Sequence, residues 1–247
     1  MLILVTNDDG VRSPGLRALA TAMSEFGRAV IVAPDRNRSA VGHALTLDQP
    51  LRAEEIKPDI YAVDGTPTDC VNLGIHGLLK EHPQLVVSGI NRGSNVGDDI
   101  TYSGTVSAAL EASLMGYPAF AISLDALQFS EQDLKVATDF AKRLAGEIIH
   151  HGLPKDTFLN VNIPSGGCHG VQLTRQGKRR YGDAIVCNQD PRGKNYYWIG
   201  GTGDGFENIP GSDCNALAQG MISVTALKTN MTHESAHTQL LDWSLDC

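Results

Sequence analysis

The chain has 247 residues, 42% hydrophobic and 19% charged, which suits a globular protein with one large core. Acidic residues outnumber basic ones by 28 to 20, for a formal charge of −8; this argues against a general nucleic-acid binder and leaves small phosphorylated ligands open. Five cysteines, Cys70, Cys168, Cys187, Cys214 and Cys247, have no CxxC spacing, and neither a membrane-length apolar run nor a secretory signal is found, so a cytoplasmic protein is expected.

The first 165 residues alternate between strand-like and helix-like patterns. Leu2–Thr6 is apolar on both faces, as in a buried parallel strand. Ser13-Pro14 reads as an N-cap followed by proline at the first helical position, with Leu16, Leu19, Ala20 and Met23 at helical spacing and Gly27 as a stop. Ala29–Ala33 is the next strand. Thr66-Pro67-Thr68-Asp69 reads as a capping box that opens a helix through about Leu79. Leu85–Ser88 is a strand, Ser107–Met115 a helix, and Ala119–Leu124 a strand. Ser130 caps a long helix that ends at His150-His151, where positive charge suits the helix dipole, and Phe158–Ile163 completes the series.

Such alternation predicts parallel βαβ units in an α/β, doubly wound and mostly parallel sheet. Residues 166–247 differ: alternating stretches such as Val171–Thr174 and Tyr196–Ile199 lie among many glycines. A β-rich C-terminal extension of a single domain is expected there, beyond a core of about residues 1–165.

Four polar clusters follow predicted strands or open a helix: Asn7-Asp8-Asp9-Gly10, Pro34 through His43, Ser88 through Asn95, and Tyr102-Ser103-Gly104-Thr105. In a parallel sheet the strand C-terminal ends share one edge, so these loops can converge. Asp8 and Asp9 supply anionic oxygen, while Ser39 and either Asn91 or Asn95 supply neutral oxygen, a set suited to magnesium or manganese. Ser103, Gly104 and Thr105 offer two hydroxyls and free backbone N–H groups at a helix start, which suits phosphate. His43, in the second of these loops, reads either as a group that orients a phosphate or protonates a leaving oxygen, or as a loop histidine that satisfies local backbone. Each cluster alone is an ordinary turn or cap; four on one edge point to metal-assisted phosphoester hydrolysis. The basic run of Arg175, Lys178, Arg179 and Arg180 reads as a solvated hairpin or an inter-subunit contact, with a role in steering phosphorylated substrates as the alternative. There is no GxSxG elbow and no P-loop lysine.

Taken in order, Leu4–Gly10 with Ser13-Pro14-Gly15, Pro34–His43, Gly65–Val71, and Ser88–Asn95 through Tyr102–Val106 closely resemble the SurE family, the stationary-phase survival proteins. The match spans most of residues 1–125, with later echoes at Asn160–Pro164 and Thr174-Arg175-Gln176; Gln176–Asp213 resembles the family less closely. The resemblance implies a Rossmann-like sheet and a metal-dependent phosphatase acting on nucleoside 5′- and 3′-monophosphates, in some members also on polyphosphate. It implies one divalent ion per subunit held by Asp8, Asp9, Ser39 and Asn91, the last being the asparagine of Gly-Ile-Asn. Asn95, Ser103, Gly104 and Thr105 match its phosphate-side loops. It further implies a homodimer or homotetramer built through an exchanged C-terminal extension, with no stable nucleic-acid complex and no membrane partner. Two rivals are weighed against this reading: an aspartyl-phosphate mechanism with Asp8 or Asp9 as nucleophile, and a non-catalytic, metal-dependent nucleotide-binding or sensing protein.

Overall fold

The strand Leu2–Thr6 (β1) is buried on both faces, and it forms the middle of the fold. Ile3 and Val5 pack with Leu16, Leu19 and Phe120 on one side; Leu2 and Leu4 pack with Val30, Val32 and Val86 on the other. Burying each such side chain stabilises the fold by roughly 1.5–3 kcal/mol.

The computed structural model describes residues 1–182, 185–199 and 205–243. After β1 come α1 (Pro14–Met23), β2 (Arg28–Pro34), β3 (Ala53–Lys57), β4 (Ile60–Val63) and α2 (Pro67–Leu73), which runs on into a π turn over Gly74–Leu78. They are followed by β5 (Leu85–Arg92), a 3₁₀ turn over Gly97–Thr101, α3 (Gly104–Leu114), β6 (Ala119–Asp125), α4 (Glu131–His151) and β7 (Thr157–Pro164). The C-terminal part contributes β8 (Val171–Thr174), β9 (Ile185–Gln189), β10 (Asn195–Ile199), α5 (Asp213–Ala218), β11 (Ile222–Lys228) and α6 (Glu234–Leu240).

Among the described residues, nine strands form one sheet in the order β3-β4-β2-β1-β5-β6-β7-β11-β8. The run from β4 to β7 is parallel; β3 and β11 are antiparallel to their inner neighbours, and β8 is parallel to β11. One apolar cluster joins α1 and α4 to the sheet, and a second joins α2 and α3. The chain is therefore an α/β fold with helices on both faces of a mostly parallel sheet. From β1 the chain winds outward through β2 and β4, then returns to β5 and winds the other way. The topological switch point lies between β1 and β5, where a crevice opens beyond the strand ends.

The Thr66–Asp69 capping box is present, with Thr66 Oγ1 accepting from Asp69 N and Asp69 Oδ2 accepting from Thr66 N. One expectation is corrected and two are refined. Ser13 precedes α1 as expected, but its hydroxyl makes no capping bond and is buried without a partner. The third helix begins at Gly104, where the Tyr102–Thr105 cluster opens it and ahead of the helical pattern from Ser107, because Ser103 Oγ caps Val106 N at 3.1 Å. The α-helix opened by Thr66 ends at Leu73, and only the π turn carries the chain on to Leu78. The hairpin of β3 and β4 was not foreseen: Ala-Glu-Glu-Ile-Lys is exposed throughout, so no apolar alternation marks it.

Candidate active site

At the C-terminal end of β1 the backbone turns sharply at Gly10, whose φ is +98°. A Cβ there would lie 2.9 Å from the Arg36 carbonyl carbon, so glycine is required by both conformation and space. Asn7 closes the turn, its Oδ1 accepting from Gly10 N and its Nδ2 donating to Gly10 O, each at 3.2 Å. This leaves Asp8 and Asp9 at the switch point. Asp8 is buried; its backbone carbonyl accepts from Arg38 N at 2.8 Å, which ties the loop carrying Ser39 to the end of β1.

Across the crevice stands the first turn of α3. Thr105 Oγ1 donates to Asp8 Oδ1 at 2.5 Å. A Cβ on Gly104 would sit 2.8 Å from Asp8 Cβ and 3.1 Å from Pro67 Cγ, so only glycine lets the helix start come this close to the carboxylate. The hydroxyls expected to face phosphate are engaged within the protein: Ser103 Oγ accepts from Val106 N, and the Thr105 proton goes to Asp8. The backbone N–H of Gly104, in the first turn of the helix, remains for an anion, while that of Thr105 is turned to the Asp8 carboxylate.

A cleft of about 230 Å³ is lined by Asp8, Ser39, Asn91, Asn95 and Ser103, together with Ala40, Arg92, Ser94, Asp99 and Tyr102. The structure thus brings three of the four expected ligands into one cleft. Asp9, Gly104 and Thr105 adjoin it through Asp8 without lining it. His43 is directed elsewhere: its Nε2 meets Glu111 Oε2 at 2.7 Å, and it lines a neighbouring cavity with Val106 and Leu110.

Electrostatics at the cleft is unusual for a pair of carboxylates. Burial pushes the Asp8 carboxyl up to about 6, opposed by the Thr105 hydrogen bond and reinforced by Asp9. Burial also raises Asp9, against the pull of Arg92. Asp9 Oδ2 is buried with no hydrogen-bond partner. The Asn91 amide nitrogen donates to Gly93 O at 2.9 Å, and no described residue donates to its Oδ1. Ser39 Oγ gives its proton to Asn37 Oδ1 at 2.6 Å, which leaves lone pairs on the Ser39 oxygen. Among the described residues no three His, Cys, Asp or Glu side chains converge on one point. The donor set is therefore two carboxylates plus neutral oxygens, and it fits a hard divalent cation better than a soft one.

Three features were missed by sequence reasoning. Asn95 is held by two asparagines of β7: its N donates to Asn162 Oδ1 at 2.7 Å, and its carbonyl accepts from Asn160 Nδ2 at 2.8 Å and Asn162 Nδ2 at 3.0 Å. The available signal was two asparagines at i and i+2 inside an apolar strand. Tyr102, 62% exposed, forms part of the cleft wall. The basic run folds back on its own chain, with Lys178 Nζ 3.1 Å from Asp98 Oδ1 and Arg179 Nε 3.1 Å from Asp99 Oδ2.

The profile of the family described as "Survival protein SurE" matches residues 3–183. This chain belongs to the SurE family. The protein named 5′-nucleotidase SurE from Syntrophotalea carbinolica is 58% identical over 245 residues, covering 99% of this chain and 98% of the relative. Its namesake from Geobacter sulfurreducens is 58% identical over 248 residues, covering 99% and 94%. The crystal structure of the SurE protein from Aquifex aeolicus superposes with a TM-score of 0.86 at 41% identity, covering 97% of this chain and 98% of that one. The SurE fold thus extends over the C-terminal strands as well as the parallel core.

Proposed function

We propose that this protein is a metal-dependent nucleotidase that hydrolyses nucleoside 5′- and 3′-monophosphates to nucleoside and phosphate, with short polyphosphate as a further substrate. The observation that carries the reading is the Asp8–Asp9 pair at the switch point, with a buried, unpartnered Asp9 oxygen, placed against the glycine-led start of α3. Relatives at 58% identity bearing the name 5′-nucleotidase support the substrate class.

Asp8, Asp9, Ser39 and Asn91 would hold one magnesium or manganese ion. When bound, such a cation polarises a phosphoryl oxygen and acidifies a water. The chain's own residues do the rest. Thr105 fixes the Asp8 carboxylate in one orientation. The N–H of Gly104 at the helix start binds a phosphate oxygen and stabilises charge that grows there during displacement. Asn95, held through its backbone by Asn160 and Asn162 and through its Nδ2 by Ser123 Oγ at 2.8 Å, forms a fixed part of the cleft wall.

The same proposal places the protein in the cytoplasm as a homodimer or homotetramer joined through the C-terminal extension, without a stable nucleic-acid or membrane partner. Supporting this are the −8 charge, the four free cysteines among the described residues, and the hairpin of β9 and β10, which exposes Tyr197, Trp198 and Ile199. No helix among the described residues is long and apolar enough to cross a membrane.

Phosphate release from a panel of nucleoside monophosphates, with manganese, with magnesium and with a chelator, tests the reading. Tight nucleotide binding without turnover would favour a sensing protein, and a trapped phosphoaspartate would favour covalent catalysis.

A further inference from the structure

Residues 35–46, which carry Ser39, form a largely exposed loop without helix or strand. Such a loop does not hold a side chain in place by itself, so its ties to the body decide where Ser39 sits. Near Ser39, Arg38 N reaches Asp8 O at 2.8 Å, and Gly42 N reaches Tyr102 O at 3.1 Å. Next along the chain, His43 Nε2 donates to Glu111 Oε2 at 2.7 Å. Further on, Thr46 is bound to Asp69 through both its N–H and its hydroxyl.

Glu111 is the exceptional partner. Its side chain is 8% exposed, on a helix whose other buried residues are small or uncharged. A carboxylate in that position costs stability unless its oxygens are satisfied. One oxygen accepts from His43 and the other from Asn72 Nδ2, at 3.1 Å. Glu111 also lies on the helix that begins at the cleft, about 9 Å along its axis from Thr105 at 1.5 Å per residue. The same helix therefore grips Asp8 through Thr105 at its start and the Ser39 loop through His43 further along.

We propose that Glu111 is a positioning residue: through His43 it sets the distance between the Asp8–Asp9 pair and Ser39, and thereby the affinity of the site for a divalent cation. This rests on the reading of Ser39 as a ligand. Asn72 gives Glu111 a structural duty as well, so the test has to separate cation affinity from folding.

The experiment is Mn²⁺ titration by calorimetry on the full chain, with thermal melts and amide exchange of the metal-free proteins alongside. His43→Ala trims a side chain that is 32% exposed, so it opens no core cavity. It is expected to weaken Mn²⁺ binding about 10-fold, as for other residues that orient a metal ligand. The melting temperature should fall by several degrees, up to about 10 °C, because a buried Glu111 oxygen loses its donor; the protein stays folded for the titration at about 25 °C, while amide exchange of residues 39–43 quickens. Glu111→Ala should match that loss of affinity. His43→Gln, which can still donate to Glu111, should recover most of it.

In a Ser39→Ala background the His43→Ala loss should shrink below about 2-fold, because the route through Ser39 is gone. Unchanged affinity in His43→Ala, or an equal loss in both backgrounds, overturns the proposal. Asp8→Asn marks the boundary with the broader reading. If the unaltered protein binds no Mn²⁺, both fall. If it binds and Asp8→Asn does not, while His43→Ala binds normally, only the role of Glu111 falls.

Discussion

Thr105 and Asp8, 97 residues apart in sequence, share a 2.5 Å hydrogen bond that fastens the first turn of α3 to the end of β1. The hydroxyl occupies one carboxylate oxygen and fixes how the other faces the cleft. Thr105→Val keeps the shape but removes the donor; it should lower manganese affinity and turnover by about 10–100-fold, as loss of ligand-orienting bonds does. Thr105→Ser should retain most of both. Titration and turnover of the two variants side by side check this, and equal behaviour would argue against the orienting role.

The burial of Asp8 makes a prediction about pH. Its carboxyl titrates at about 6 in the folded, metal-free protein against an ordinary 3.8. The folded state therefore holds a proton more tightly than the unfolded chain, and stability is lost as pH rises from about 4 to about 6. Above that range the penalty is constant, up to about 2–3 kcal/mol. Asp8→Asn should therefore make the metal-free protein more stable than the unaltered one at pH 7.5, with the gap closing near pH 4. Added manganese should reverse the order by stabilising only the protein that binds it. Denaturant melts at the two pH values measure the gap, and a gap independent of pH would contradict the assignment.

Gly104→Ala inserts a methyl 2.8 Å from Asp8 Cβ and 3.1 Å from Pro67 Cγ. Both neighbours belong to packed elements, so the helix start must retreat. A loss of about 1–3 kcal/mol is expected. Turnover should fall far more than that stability change explains, because the Gly104 N–H that meets phosphate moves with the helix. Turnover close to that of the unaltered protein would remove the helix start from the site.

Asp213 is fully buried in the C-terminal part and accepts from Gly97 N at 2.9 Å, Gly177 N at 2.8 Å and Cys214 N at 2.7 Å. It clasps the 3₁₀ turn near the cleft to the extension. Asp213→Ala strands these donors and should cost about 3 kcal/mol or more. A thermal melt with unchanged midpoint would show that the donors find other partners.

The central strands were legible because Leu2–Val5, Val30–Ala33, Leu85–Val87 and Ala119–Ile122 are apolar on both faces, a pattern that in a domain of this size fits buried parallel strands. The edge was not: β3 is exposed along its whole length and pairs with β4, so it buries no apolar face and leaves no periodic trace in Ala-Glu-Glu-Ile-Lys. In the site, the convergence of Asp8, Ser39, Asn91, Asn95 and Ser103 followed from strand ends sharing one edge. What each side chain binds was hidden. Thr105 turns to Asp8 rather than to an incoming phosphate, and His43 turns to Glu111, because those partners come from segments 97 and 68 residues away. Likewise Asn160 and Asn162 acquire a role only once β7 lies beside β6, with Asn95 above them.

The most direct test of the central claim is phosphate release from a nucleoside 5′-monophosphate by the unaltered protein, Asp8→Asn and Asp9→Asn, each with manganese and with excess chelator. The account requires turnover by the unaltered protein with manganese, its loss on chelation and restoration on adding the metal back, and at least a ~100-fold drop in either variant, of the size seen when a group stabilising the transition state is removed. Turnover that persists in the chelator, or in either variant at the unaltered rate, would contradict it.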